Sequence, residues 1–281
     1  MPLDEREIVT LTEIREWENK LRSYEPNDFS LLLQKYIEQS FSLLPTVIKE
    51  KFFSSLDQWL FHLQSLIQSS HLQAEAKERI LTIARSFLPE IDSVQDLKKL
   101  KIDQIKYIAD QQISRHRLYS FAHGGVSGTG KALLLGSDLP GVVVINLRAV
   151  QLIAVTYGFD TSSPVEMETS LKVFHAAILP PHIRMKAWEK LMGEIEEHQT
   201  DNFFYAQKEE LSDMASIEQI LKEILKIVVI FLLRKKTFQG FPIISMAIGA
   251  GINYQLTRKV TDFSHKYYQM RYLFEKKERN K

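Results

Sequence analysis

From Leu256 to Phe274 apolar side chains return at alternating intervals of four and three residues: Leu256, Val260, Phe263, Tyr267, Met270 and Phe274. An α-helix turns once in 3.6 residues, so this alternation keeps all six on one face. The spacing predicts a long C-terminal amphipathic helix packed along the body of the protein. Helical periodicity recurs along most of the chain. No run shows sustained period-two alternation, and no Asn-Gly or Asp-Gly turn joins two apolar segments. The expected fold class is therefore all-α, a multi-helix bundle with central apolar, glycine-containing helices. No internal repeat suggests a solenoid.

Boundary chemistry places several helices. Ser163-Pro164-Val165-Glu166 offers an N-cap serine, a proline at the first helical position and a glutamate three residues on, predicting a helix to about Leu179, where Pro180-Pro181 breaks it. Asp138 with Pro140 reads as a helix start and Gly158 after Tyr157 as its C-terminal cap, with the apolar Val142 to Val155 between them. Asn27 or Asp28 caps a helix ending near Leu44, and Ser93 with Asp96 caps another. A soft boundary near residues 89–100 divides an N-terminal amphipathic helical region, 1–90, from a helical domain, 100–281.

The 281 residues contain no cysteine, which excludes disulfides, thiolate metal sites and thiol nucleophiles and fits a cytoplasmic setting. Six acidic residues among the first twenty argue against a signal peptide. The formal net charge of +1 gives no nucleic-acid footprint, but it averages an uneven distribution. Residues 161–223 carry six basic and twelve acidic side chains, whereas 234–281 carry eleven basic and three acidic. Lys259, Lys266, Arg271, Lys276 and Lys277 thus form a candidate surface for anionic lipid or an acidic partner. Beside them lies a charge-free run of 21 residues, Thr237 to Thr257. It has the length of a membrane span, yet its glutamines, proline and glycines favour a buried or interfacial helix.

Gly124-Gly125-Val126-Ser127-Gly128-Thr129-Gly130-Lys131 imitates several catalytic motifs and satisfies none. Gly125, Gly130 and Lys131 fit a phosphate loop, but Ala132 replaces the hydroxyl that would hold magnesium, and the preceding Ile102, Ile105 and Ile108 read as helix. A serine elbow fails at Thr129, which stands where glycine is required. His116 and His123, seven apart without a carboxylate at ligand spacing, do not make a zinc site. No metal or other cofactor is implied. Gly124, Gly128 and Ala132, with Gly249, Gly251 and Asn253 later, instead permit close helix crossings.

The order Gly124-Gly125-x-x-Gly128-x-Gly130, Asp138-Leu139-Pro140, Arg148 and Tyr157-Gly158-Phe159-Asp160 resembles the core of the EcsC family. Pro242-Ile243, then Gly251, Asn253, Tyr254 and Leu256, then a basic helix with Tyr267 and Arg271, extend the likeness over about residues 100–275. The resemblance implies a bacterial protein linked to an ABC transporter locus, with no biochemical activity attached. His123 stands where such proteins often carry an acidic residue, so a mechanism built on a carboxylate there does not carry over.

Two functions are expected on these grounds. The favoured one is a non-enzymatic accessory protein, peripheral at the inner face of the cell membrane, docking on an ABC transporter, another membrane protein or anionic lipid. The alternative is a hydrolase or transferase whose site gathers His123, Asp138, Arg148, Tyr157 and Asp160, a histidine base with an arginine to hold an anion. Geometry separates the two. Convergence of the five in one concavity favours an enzyme, whereas aspartates turned to backbone amides are helix caps.

Overall fold

A computed structural model describes residues 3–24, 46, 50, 53–56, 58–60, 71–127, 138–200, 214–233 and 242–279. Every regular element among them is helical: α1 (Glu5–Arg22), α2 (His71–Arg85), a 3-10 turn (Gln95–Lys99), α3 (Ile102–Ser127), α4 (Asp138–Thr156), α5 (Pro164–Ile178), α6 (Pro181–Thr200), α7 (Met214–Leu233) and α8 (Pro242–Arg279).

The boundaries fall where backbone chemistry sets them. Ser163 caps α5 by accepting from the Glu166 amide at 3.3 Å, and Leu179 ends the helix before Pro180. α4 closes in a Schellman arrangement: the Phe159 amide donates to the Ala154 carbonyl and Gly158 to Val155, at 3.0 and 2.9 Å. Gly158 sits at φ 85°, a conformation that costs a residue with a Cβ. Ser93 and Asp96 do bond reciprocally, but they open only the short 3-10 turn. The helix expected from Asn27 or Asp28 to Leu44 lies outside the described residues.

α3, α4 and α8 form the centre, with α5 and α7 on one side and α1, α2 and α6 closing around it. A single apolar core runs from Ile14 of α1 and Ile80 of α2 to Leu273 of α8. It includes Ile91, Val94, Leu97 and Leu100, the stretch where the sequence suggests a boundary. An aromatic trio ties the N-terminal helix in: Trp17 meets Trp188 and Phe263 edge-on at 4.8 and 5.7 Å.

α8 departs from the simple amphipathic picture. Its 4–3 stripe is buried or nearly so, yet Thr257, Thr261, Ser264, His265, Tyr268 and Gln269 on other faces are buried too. Small hydroxyls make this tolerable by bonding back to the helix, Thr261 to the Thr257 carbonyl at 2.8 Å and Ser264 to Val260 at 2.7 Å. Residues 242–257 of the charge-free run are the first turns of this same helix, not a separate element. Among the described residues, the one helix long and apolar enough to cross a membrane is α4, over Leu139–Thr156, and 78% of that window is buried within the protein.

Candidate functional site

Polar contacts set α3 antiparallel to α8. The Tyr272 hydroxyl donates to the Leu100 carbonyl at 3.1 Å, Arg117 reaches Thr261 and Asp262, and Ser120 donates to the Asn253 carbonyl at 3.0 Å. α3 also runs antiparallel to α4. His123 lies over Gly141, where an added Cβ would come within 3.1 Å of the imidazole Nε2, and two turns back His116 feels the charge of Arg148.

Of the five residues of the enzymatic reading, the four whose side chains are described do not converge. Tyr157 and Arg148 are nine residues apart, about 13 Å along the helical rise. Tyr157 is fully buried. Asp160 accepts from Lys77 at 2.9 Å and from the Ser162 amide at 3.1 Å, a turn-fixing role. Asp138 opens α4 as expected, its side chain lying outside the described residues. Of the glycines, Gly124 is buried and the helix of α3 continues through Gly125 to Ser127, so a helix and not a strand leads into the segment. Gly128 and Gly130 lie outside the described residues.

Tyr157-Gly158-Phe159-Asp160 is instead a structural knot. The Tyr157 hydroxyl is hydrogen-bonded to His265 Nε2 at 2.8 Å, the Gln269 amide nitrogen lies 3.2 Å from the same nitrogen, and His265 Nδ1 lies 3.7 Å from Asp110. Burial, reinforced by Lys266, Lys106 and Arg117, pulls the His265 pKa down to about 3, and burial pushes the Tyr157 phenol well up. A carboxylate–imidazole–phenol chain can pass a proton in principle, but the phenol at its inner end touches no solvent. Phe159 lies between two cations, with Lys98 at 4.3 Å and Arg271 at 4.0 Å from its ring centre. Sequence reasoning missed His265 and Gln269, although two polar residues at i, i+4 inside an apolar helix were the available signal.

The basic C-terminal face is mostly turned inward. Arg271 is a buried bidentate partner of Glu166, at 2.6 and 2.5 Å; burial opposes its charge, but the carboxylate outweighs burial and its pKa is raised. Lys276 pairs with the buried Glu7, and Lys266 lies 3.6 Å from Glu13. Lys259 and Lys277 are exposed, and Lys259 has an interaction within the protein.

A different surface carries exposed apolar and basic groups. Tyr107, Leu118 and Phe121 fall on one outward face of α3, exposed by 53, 68 and 49%, and the exposed Tyr119 stands edge-on to His116. Arg115 is exposed beside them, Arg79 faces out from α2, and Arg148 is half-buried on α4. The described contacts include no hydrogen bond or ion pair for these three arginines. Arg148 has its pKa lowered by burial alone. His116 is likewise lowered by burial and then by Arg148, Arg79 and Arg115, while its Nδ1 lies 3.0 Å from the Gln112 carbonyl. Among the described residues no group of three or more histidine, aspartate or glutamate side chains could hold a metal ion.

Comparison with known proteins gives a consistent result. The EcsC protein family matches over residues 9–273, so the likeness reaches well into the N-terminal helices that the motifs left out. The uncharacterized protein YdbA of Bacillus subtilis (strain 168) is 22% identical over 280 residues, covering 98% of this chain and 97% of that protein. No solved structure matches.

Proposed function

The chain belongs to the EcsC family, and from that premise we propose that it is a non-enzymatic accessory protein bound peripherally to the inner face of the cell membrane, with the outer face of α3 as its contact surface. The observation that carries this reading is the exposure of Tyr107, Leu118, Tyr119 and Phe121 on a helix whose opposite face, Ile102, Ile105, Ile108 and Ile113, already fills the core. α3 thus carries exposed apolar and aromatic side chains beyond those that fill the core. Full burial of a large apolar side chain contributes about 1.5–3 kcal/mol, so seating Leu118 and Phe121 in a headgroup layer supports reversible attachment. Contact with an ABC transporter or another membrane protein belongs to the same reading, since peripheral attachment brings the chain to such a partner.

Vesicle flotation tests it. The wild-type chain is expected to rise with vesicles of phosphatidylcholine and phosphatidylglycerol, and the double variant L118D/F121D to remain at the bottom while keeping its helical circular dichroism. Wild-type protein that stays at the bottom with every vesicle composition sinks the proposal.

A further inference from the structure

Two lysines from different helices meet on one carboxylate oxygen. Lys106 of α3 lies 2.7 Å and Lys266 of α8 3.6 Å from Glu13 Oε2, and Glu13 belongs to α1. Nearer the start of α1 the buried Glu7 pairs with Lys276 of α8, and nearer its end Glu18 accepts from the Trp188 indole at 2.7 Å. Arg6 with Asp103 and Arg22 with Glu189 tie down the two ends. The apolar part of this attachment is small. α1 buries Glu7, Thr10 and Ile14, with Leu11 and Trp17 packed partly against the core, whereas the shorter α5 buries seven residues, Phe174 and Ile178 among them. α1 is therefore held to the body largely by charge. Ion pairs with partly exposed partners contribute little each and weaken with salt, so an anionic surface competes with them readily. An ammonium is a compact point charge that donates to a phosphate oxygen as well as to a carboxylate oxygen. Of the other carboxylates near the two lysines, Asp262 binds Arg117 at 2.6 Å and Asp110 lies 3.7 Å from His265 Nδ1. Glu13 alone among the described residues bridges the pair.

Place matters as much as charge. Lys106 directly precedes Tyr107, and Asp103, the partner of Arg6, stands one turn before Tyr107 on the same side of α3. Tyr107 and Phe87, both exposed, meet edge-on at 6.0 Å. α1 thus borders an outward aromatic pair, and a membrane that receives Tyr107 comes up against the helix covering the lysines. We propose that α1 is an autoinhibitory strap: Glu13 occupies, as a tethered anion, a site on Lys106 and Lys266 that the phosphate of an anionic phospholipid takes when α1 lifts from the body, with Lys276 released from Glu7 in the same step. The proposal rests on the peripheral-membrane reading and adds to it a second, covered contact surface and the lipid that uncovers it. The basic C-terminal stretch is then neutralised in one state of the protein and available in the other.

Flotation with neutral and anionic vesicles, repeated on a locked chain, tests the strap. Glu13→Gln leaves the two lysines without their bridging carboxylate and should raise affinity for phosphatidylcholine–phosphatidylglycerol vesicles about tenfold, each released cation counting several-fold, with little change on phosphatidylcholine alone. Glu16→Gln makes the same charge change on the exposed side of α1 and should raise it by less than about twofold. In E13Q/K106Q/K266Q the gain should vanish, and a thermal melt confirms that each variant is folded. The chain has no cysteine, so a short bismaleimide bridging R6C and D103C, both at exposed positions, ties α1 down. The bridged protein should show no gain from Glu13→Gln, whereas the unbridged cysteine pair keeps it. Equal affinity of E13Q, E16Q and wild type for anionic vesicles, or a full gain in the bridged protein, overturns the strap but leaves peripheral attachment standing. A wild type that floats with neither vesicle overturns both. Inorganic phosphate that displaces E13Q from anionic vesicles more strongly than chloride at equal ionic strength makes the anion free phosphate, and tighter binding of E13Q to polyglutamate than to those vesicles makes it an acidic protein; either result overturns the lipid assignment.

Discussion

α8 and α3 each carry a basic stretch, and the fate of a cation differs even between neighbours: Arg117 of α3 pairs with Asp262 as the cations of α8 pair with acids, whereas Arg115 does not. On α8, Arg271, Lys276 and Lys266 face Glu166, Glu7 and Glu13, carboxylates supplied by α5 and α1. On α3, Arg115 has no such partner in the described contacts, and the same holds for Arg148 and Arg79 on the helices beside it. Linear charge density points to the C-terminal stretch as the sticky one, yet the contacts made by the fold spend those charges internally. Net charge along a sequence therefore says how many cations a segment holds and not how many remain available.

The largest expected effect breaks the paired side. Glu166→Gln leaves Arg271 buried beside a neutral amide and should cost about 3–5 kcal/mol of unfolding free energy, read from urea melts, because a buried charge loses its compensation. A loss below about 1 kcal/mol would show that Arg271 relaxes to solvent.

Acid tests the same core more gently. The His265 pKa is about 3 when folded against 6.5 as the ordinary value, so between those limits the unfolded chain binds more protons and stability rises with pH. The contribution is complete above pH 6.5 and disappears toward pH 3. Moving from pH 7 to pH 4.5 should remove roughly 2–3 kcal/mol through this group. H265Q is less stable at neutral pH, but its urea midpoint should fall less over that interval; an unchanged slope would assign the acid sensitivity to other groups.

Caps come next. Ser163→Ala removes the acceptor for the Glu166 amide and should cost about 1 kcal/mol. Gly158→Ala should cost at least as much, roughly 1–2 kcal/mol, since it forces a Cβ into a positive-φ position and against the Lys98 side chain. Thermal melts of the two variants rank them, and a neutral Gly158→Ala would contradict the Schellman geometry.

The smallest effect on stability belongs to the unpaired side. Arg115→Gln should change unfolding free energy by no more than about 0.5 kcal/mol, since no internal contact is lost. If it matches Glu166→Gln in a melt, the distinction between the two basic stretches collapses.

Helix starts and stops were legible because they depend on a few neighbouring atoms. Ser163, Pro164 and Glu166 fix the start of α5 whatever surrounds them, and Gly158 ends α4 because its backbone conformation excludes a side chain. The 4–3 stripe likewise identified the buried face of α8. The arginines without a described partner were harder to read. Arg79, Arg115 and Arg148 are separated by 36 and 33 residues, and nothing local distinguishes them from other arginines. Tyr157 and Asp160 looked chemical because polar residues near glycine often are, but they serve a helix end and a buried network.

Sequence alone determined that this chain is helical, where several helices begin and end, which face of α8 is apolar, and that thiol chemistry is closed to it. These properties come from period, capping geometry and residue type, all of them local. Tertiary structure decided which charges are neutralised and which apolar residues stay outside. Both depend on what a neighbouring helix presents across a gap of a few ångströms, and the register of α3 against α4 and α8 sets that neighbour only after the chain has packed.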